Sequence, residues 1–94
     1  MVQPRFAAPY LNRANTLMAL NRRDEALTAY EDTLRVKPDS APAHNNLAAL
    51  LLEHGRRDEA IAHLREAVRL MPDAAGPRFA LQKLLEHQEE DNVH

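Results

Sequence analysis

The sequence predicts an all-α protein, an α-solenoid of antiparallel helical hairpins that contains five helices. Compared with itself at a shift of 34, the chain is identical at twelve of 34 positions between residues 7–40 and 41–74. Three of its six prolines, Pro4, Pro38 and Pro72, follow the same spacing. Alanine and leucine dominate and only two glycines occur, a composition that favours helices. A fixed period of this length indicates stacked helical repeats.

Prolines and turn residues divide the chain into its helices. Pro9, Pro42 and Pro77 lie just inside the starts of three predicted helices, where the missing N–H costs nothing. Asn21 and Gly55 fall inside the two hairpins, and both residue types tolerate the left-handed conformation that closes a helix. Oxygen-bearing side chains that could cap the third and fifth helices are Asp39, Ser40 and Asp73. The predicted helices span residues 8–20, 24–37, 41–54, 58–70 and 75–90.

Apolar residues recur at helical spacing, so each helix has one face for the core. The first helix presents Tyr10, Ala14 and Leu17, and the second presents Ala26, Leu27, Tyr30 and Leu34. Small residues at equivalent places in the two hairpins would allow close approach of the helix axes. These small residues are Ala14, Ala26, Ala48 and Ala60.

Composition and charge exclude several classes of function. The net charge of −2 supplies no broad basic face, so no nucleic-acid partner is expected. Cysteine is absent, which excludes disulfides and thiol chemistry. The longest apolar stretch, Leu47 to Leu52, is too short to cross a bilayer, so no membrane partner is expected either. The first ten residues lack the apolar segment of a signal peptide, and a cytoplasmic location is the default expectation.

The repeated positions resemble the tetratricopeptide repeat, a helix–turn–helix unit of 34 residues with the pattern W-x₂-L-G-x₂-Y…A-x₃-F…P. The second repeat supplies His44, Leu47, Ala48, Leu51, Ala60, Leu64 and Pro72 at these positions. The first supplies Tyr10, Arg13, Ala14, Leu17, Ala26, Tyr30 and Pro38. Arg13 replaces the usual leucine and His44 the usual aromatic residue, so weaker packing is expected at both.

The resemblance implies a domain organisation along the chain. Residues 7–40 form the first repeat, 41–74 the second, and 75–90 a closing helix, followed by a disordered tail at 91–94. Arg78 and Gln82 give that closing helix the polar outer face that a solenoid end needs. Residues 1–6 match the end of a repeat, so they are either the remnant of a preceding one, in a longer array, or a disordered N-terminus.

The resemblance also implies a concave groove, walled by the first helix of each repeat, that binds a peptide. Asn12 and Asn46 are one repeat apart, and their amides could grip a peptide backbone whatever its sequence. This resembles the asparagine ladder of O-linked N-acetylglucosamine transferase, although Ala80 occupies the third rung. The residues expected to line the groove are Leu11, Asn12, Asn15, Met18, Asn45, Asn46, Ala49, Leu52, Glu53, Phe79 and Lys83.

A second binding mode of the family, the carboxylate clamp for acidic C-terminal tails, is not expected. Asn15 and Asn46 have the spacing of its asparagines, but Leu11, Gly76 and Ala80 stand where its cations are needed. Without those cations a bound carboxylate would lose water and gain no partner.

No cofactor, metal site or catalytic residue is expected. The five histidines contain neither a His-x₃-His pair nor a His-Glu-x-x-His motif. Ser40 is the only serine and is assigned to a helix cap. The function expected is therefore a non-catalytic protein-interaction module that binds a peptide segment of a partner. The alternatives are an architectural or weakly self-associating repeat segment, and a regulatory repeat region of a larger, enzymatic protein.

Overall fold

The computed structural model describes residues 8–92, with side chains from 9 to 87. Within that range it contains five α-helices, as predicted, and each helix packs mainly against the next one along the chain. The expectation for residues 1–6 falls outside the described part. The helices are α1 Ala8–Ala19, α2 Arg23–Val36, α3 Ala41–Glu53, α4 Arg57–Leu70 and α5 Ala75–Asn92.

The turns inside the two hairpins close in the same way. Asn21 has φ 60° and Gly55 has φ 73°, the left-handed conformation expected for both. In each turn the amide that follows returns to the helix: Arg22 N–H donates to the Leu17 carbonyl and Arg56 N–H to the Leu51 carbonyl, both at 2.9 Å. These bonds satisfy carbonyls that the helix ends would otherwise leave free.

The predicted caps are correct at α3 and wrong at α5. Ser40 is the N-cap of α3, and its side-chain oxygen accepts a hydrogen bond from Ala43 N–H at 3.3 Å. The residue before α5 is Ala74, which has no side-chain oxygen, so Asp73 lies one position too early to be the N-cap. Helix α5 also runs two residues beyond the predicted end, to Asn92. Its last residues include good helix formers such as glutamate and glutamine.

The core runs continuously through the stacked helices. Small residues lie at the helix crossings: Ala14, Ala26 and Ala60 are 0% exposed, and Ala48 is 1% exposed. Larger side chains fill the space between these crossings, and the fully buried ones are Tyr30, Leu47, Leu50, Leu51 and Leu64. The four small residues expected between paired helices are thus buried in both hairpins.

Helix α5 closes one end of this core. Ala80, Leu81 and Leu84 are partly buried and pack against the core, whereas Arg78 and Gln82 are exposed. The helix therefore has an apolar face towards α4 and polar residues on its other side.

Polar contacts also join the first hairpin to the second. Arg23 pairs with Glu53 at 2.7 Å, and His54 Nε2 lies 2.9 Å from the Asp24 carboxylate. Both pairs connect the start of α2 with the end of α3. Because these side chains are substantially exposed, solvent screens both contacts and each adds little to stability. The main effect of these two contacts is on the placement of the first hairpin against the second.

Candidate functional site

None of the eleven residues expected to line the groove is buried. Helix α1 carries Leu11 and Met18, which are partly buried and pack against the core. Helix α3 carries Asn45 and Asn46, which are also partly buried. The other seven side chains are exposed, and they come from α1, α3 and α5: Asn12, Asn15, Ala49, Leu52, Glu53, Phe79 and Lys83.

A three-residue hydrogen-bond network joins α1, α2 and α3 at this surface. The Tyr30 hydroxyl donates to Asn15 Oδ1 at 2.5 Å, and Asn46 Nδ2 donates to the same oxygen at 3.3 Å. Tyr30 is 1% exposed, so its ring is held by the core while its hydroxyl reaches the two amides. Two groove asparagines from different repeats are thereby brought together. Tyr30 was expected only as a core residue, and its polar contact is an addition to the site.

The network leaves a defined set of hydrogen-bonding groups unused. Asn15 Oδ1 already accepts two hydrogen bonds, so Asn15 has only its NH₂ group to offer a ligand. Asn46 retains its carbonyl oxygen, because its two N–H groups serve Asn15 and the Tyr30 hydroxyl. Together the pair can donate to a peptide carbonyl and accept from a peptide N–H.

The Tyr30 hydroxyl stays protonated in this network. Burial raises the pKa of Tyr30 above its usual value of 10.0, and a hydrogen bond from Asn46 offsets part of that rise. The phenol is therefore a permanent donor at neutral pH and fixes the orientation of the Asn15 amide.

Two other groove residues have different surroundings. Asn12 is exposed, and its main-chain carbonyl accepts a hydrogen bond from the Thr16 hydroxyl at 2.9 Å. Glu53 is held by Arg23, so its carboxylate is already compensated. The close polar contact between α1 and α3 therefore uses Asn15, not Asn12, beside Asn46.

Apolar and cationic side chains continue the surface towards α5. Phe79 is 63% exposed and Leu52 is 37% exposed. The Lys83 ammonium lies 5.5 Å from the centre of the Phe79 ring, within the range of a cation–π contact. This part of the surface can cover an apolar side chain and attract an acidic one.

A partly buried histidine pair is a second polar feature that sequence analysis did not identify. His44 Nε2 lies 2.7 Å from the Pro38 carbonyl, and His44 Nδ1 lies 2.9 Å from His63 Nδ1. A carbonyl can only accept, so His44 carries its proton on Nε2 and His63 donates from Nδ1. His44 is 8% exposed, so the residue expected to weaken packing is buried and hydrogen-bonded. The 34-residue pattern gives no signal for this pair, because the equivalents of His44 and His63 in the first repeat are Tyr10 and Ala29.

The two histidines His63 and His54 make opposite contributions to the pH dependence of stability. Burial lowers the pKa of His63, and nearby His44 acts in the same direction. In the unfolded chain the histidine pKa is about 6.5, so as the pH falls the unfolded chain binds a proton more readily than the folded chain does. The contribution of His63 to the free energy of unfolding is therefore lost in acid. Hydrogen bonds to the Leu50 carbonyl and the Asp24 carboxylate raise the pKa of His54. Its contribution is present in acid and is lost as the pH rises through the folded-state pKa.

We therefore expect His63→Gln to flatten the loss of stability between pH 7.5 and 5.5, and His54→Gln to steepen it. Urea unfolding at several pH values measures both slopes, with the unmodified chain as the reference. Equal slopes in all three proteins would show that neither histidine is linked to folding.

The described residues contain no group of three histidine, cysteine, aspartate or glutamate side chains placed to hold a metal ion. None of the described helices combines the length and apolar character needed to cross a bilayer. The polar groups of the surface are amides, a phenol, a lysine and the carboxylate of Glu53, which suit hydrogen bonding to another chain.

The sequence matches the tetratricopeptide repeat family model over residues 11–75, and the chain belongs to that family. It is therefore a module of a class built for protein–protein interaction, whose members are typically non-catalytic. No sequence among the curated proteins matches the chain.

A solved structure shares the arrangement of helices. The chain superimposes on the crystal structure of the APC/C hetero-tetramer Cut9–Hcn1 with a TM-score of 0.76 and 24% sequence identity. The superposition covers 87% of this chain but only 16% of the other, so the chain spans a small part of that protein's length. At this identity the likeness shows the fold alone.

Proposed function

We propose that the chain binds an extended segment of a partner protein along the exposed surface of α1, α3 and α5. The observation that carries the proposal is the Asn15–Asn46 pair, which joins two repeats and still has donors and an acceptor for a ligand. Such amides bind a main chain without reading its side chains. The surface residues are the eleven named above.

Side-chain preference in the bound segment would come from the α5 end of this surface. Phe79 and Leu52 offer apolar contact, and Lys83 offers a positive charge. A segment with an apolar residue followed by an acidic one would use both. Lys83 alone does not rebuild the carboxylate clamp, because Leu11, Gly76 and Ala80 remain uncharged.

The contact is small, and weak binding is expected. Two hairpins and one helix give an interface at the low end of specific complexes, about 1,200 Å² or less. Affinities in the micromolar range suit transient capture, unless further repeats contribute.

Peptides selected from a displayed library of random 12-residue sequences test the proposal. We expect Asn15→Ala/Asn46→Ala to weaken binding of the selected peptides at least tenfold, because the two amides of the pair are lost at about 1 kcal/mol each. Gln82→Ala is the matched control: it removes an exposed amide of α5 outside the groove and should leave affinity unchanged. Binding that survives the double substitution would contradict the proposal.

Sedimentation at several concentrations accompanies this experiment. A monomer at all concentrations is expected for a peptide-binding module. Mass that rises with concentration, together with unaltered peptide binding in the double variant, would favour a self-associating role instead.

A further inference from the structure

A cleft between α2 and α4 lies outside the proposed groove. Leu34 and Leu47 supply apolar contact, and Glu31, Arg35 and His63 provide its polar groups. Its volume is about 390 Å³. Helix α2 supplies Glu31, Leu34 and Arg35, α4 supplies His63, and Leu47 of α3 forms the floor, so the cleft shares no residue with the groove. We call these five residues the α2–α4 cleft.

The histidine pair determines what this cleft offers a ligand. His63 donates from Nδ1 to His44, which in turn donates from Nε2 to the Pro38 carbonyl. The remaining ring nitrogen of His63, Nε2, therefore carries a lone pair and acts as an acceptor. The Pro38 carbonyl thus fixes the tautomer of His44 and, through His44, the tautomer of His63.

The charges around the cleft leave one carboxylate in excess. Arg35 is paired with Asp32 at 2.5 Å, and Arg56 is paired with Glu59 at 2.8 Å. Glu31 makes no hydrogen bond or ion pair in the part of the chain that the structure describes. It lies near enough to His63 and Arg56 to act on both through its charge. The net charge of these groups, with His63 neutral, is −1.

We propose that the α2–α4 cleft is a second binding site, which takes a lysine or arginine side chain of a partner protein. The methylene stem would lie on Leu34, which is partly exposed, as long cationic side chains do on apolar surfaces. The charged head would donate to the Glu31 carboxylate and to His63 Nε2. An ionised acidic side chain has no donor for either acceptor, and a neutral amide brings no positive charge to the Glu31 carboxylate. The site shares no residue with the groove. It would recognise a side chain of the partner, whereas the Asn15–Asn46 pair would bind only its main chain.

Backbone chemical shifts of the intact chain at pH 7.5 test this site. The probes are acetylated, amidated pentapeptides with lysine or arginine between alanines, and a norleucine peptide as the uncharged control. We expect saturable shifts at Leu34, Leu47 and His63 with millimolar dissociation constants for at least one cationic peptide, and none with norleucine.

Two charge-matched variants decide whether the cleft is responsible. Glu31→Gln should weaken binding of the cationic peptide at least fivefold. Glu86→Gln, which removes an exposed carboxylate of α5, should leave it unchanged. Equal weakening in both variants, shifts spread over all exposed carboxylates, or no saturable binding would overturn the site. Those results would leave the groove proposal untouched, since its test uses other residues.

Discussion

Leu50→Ala is expected to lower the free energy of unfolding by about 3–5 kcal/mol, the range for removing a large buried aliphatic side chain. Leu50 is 0% exposed and belongs to the continuous core. A domain of this size has a total stability of about 5–10 kcal/mol, so the variant would lose about a third of it or more. Urea unfolding followed by circular dichroism at 222 nm measures the change.

Leu52→Ala is the matched control, with the same substitution two residues along the same helix. Leu52 is 37% exposed, so the loss should be about 1 kcal/mol or less. If the two variants unfolded at the same urea concentration, α3 would not have the buried and exposed faces described above. Because Leu52 is also a groove residue, this variant is expected to bind selected peptides less tightly while remaining folded.

Removal of α5 has the second largest expected effect. A chain that ends after Asp73 loses the packing of Ala80, Leu81 and Leu84 on the core. Loss of these partly buried side chains is expected to cost about 3 kcal/mol and to expose the apolar face of α4. Urea unfolding measures the cost, and light scattering detects the aggregation that such a face promotes.

A chain that ends after His87 is the control for this truncation. It keeps the three packed residues and should unfold close to the full-length chain. If the chain that ends after Asp73 were as stable as the full-length chain, α5 would not close the core. The expectation that residues 75–90 form a capping helix would then be wrong.

The period of 34 residues explains why so much of the fold was predictable. Each hairpin repeats the same small buried residues, Ala14 and Ala26 in the first and Ala48 and Ala60 in the second, and the same turn conformation. Any one of these signals is weak, but their recurrence fixes the register of the whole chain. The five helices and the apolar faces followed from that register, and their ends moved by only one or two residues. Asp73 is not the N-cap of α5 because Ala74, and not Asp73, directly precedes the helix.

The polar contacts of the site were not predictable in the same way. Tyr30 meets Asn15 and Asn46 because three helices converge, and residues 15, 30 and 46 share no local pattern. The His44–His63 pair likewise depends on the crossing of α3 and α4 and has no copy in the first repeat. Sequence periodicity identifies faces, whereas contacts between unlike side chains depend on the distances between helices. The eleven groove residues remain a prediction, supported by the exposure of seven of them and by the contacts Asn15–Asn46 and Phe79–Lys83.

The most direct test of the central claim is a chemical-shift map of the intact chain with a peptide selected from the displayed library. Binding to the surface of α1, α3 and α5 predicts the largest changes at Asn15, Asn46 and Ala49. It predicts small changes at Ala62 and Arg65, which are exposed on α4. The opposite pattern, with the largest changes at Ala62 and Arg65 and none at the asparagines, would contradict the proposed groove.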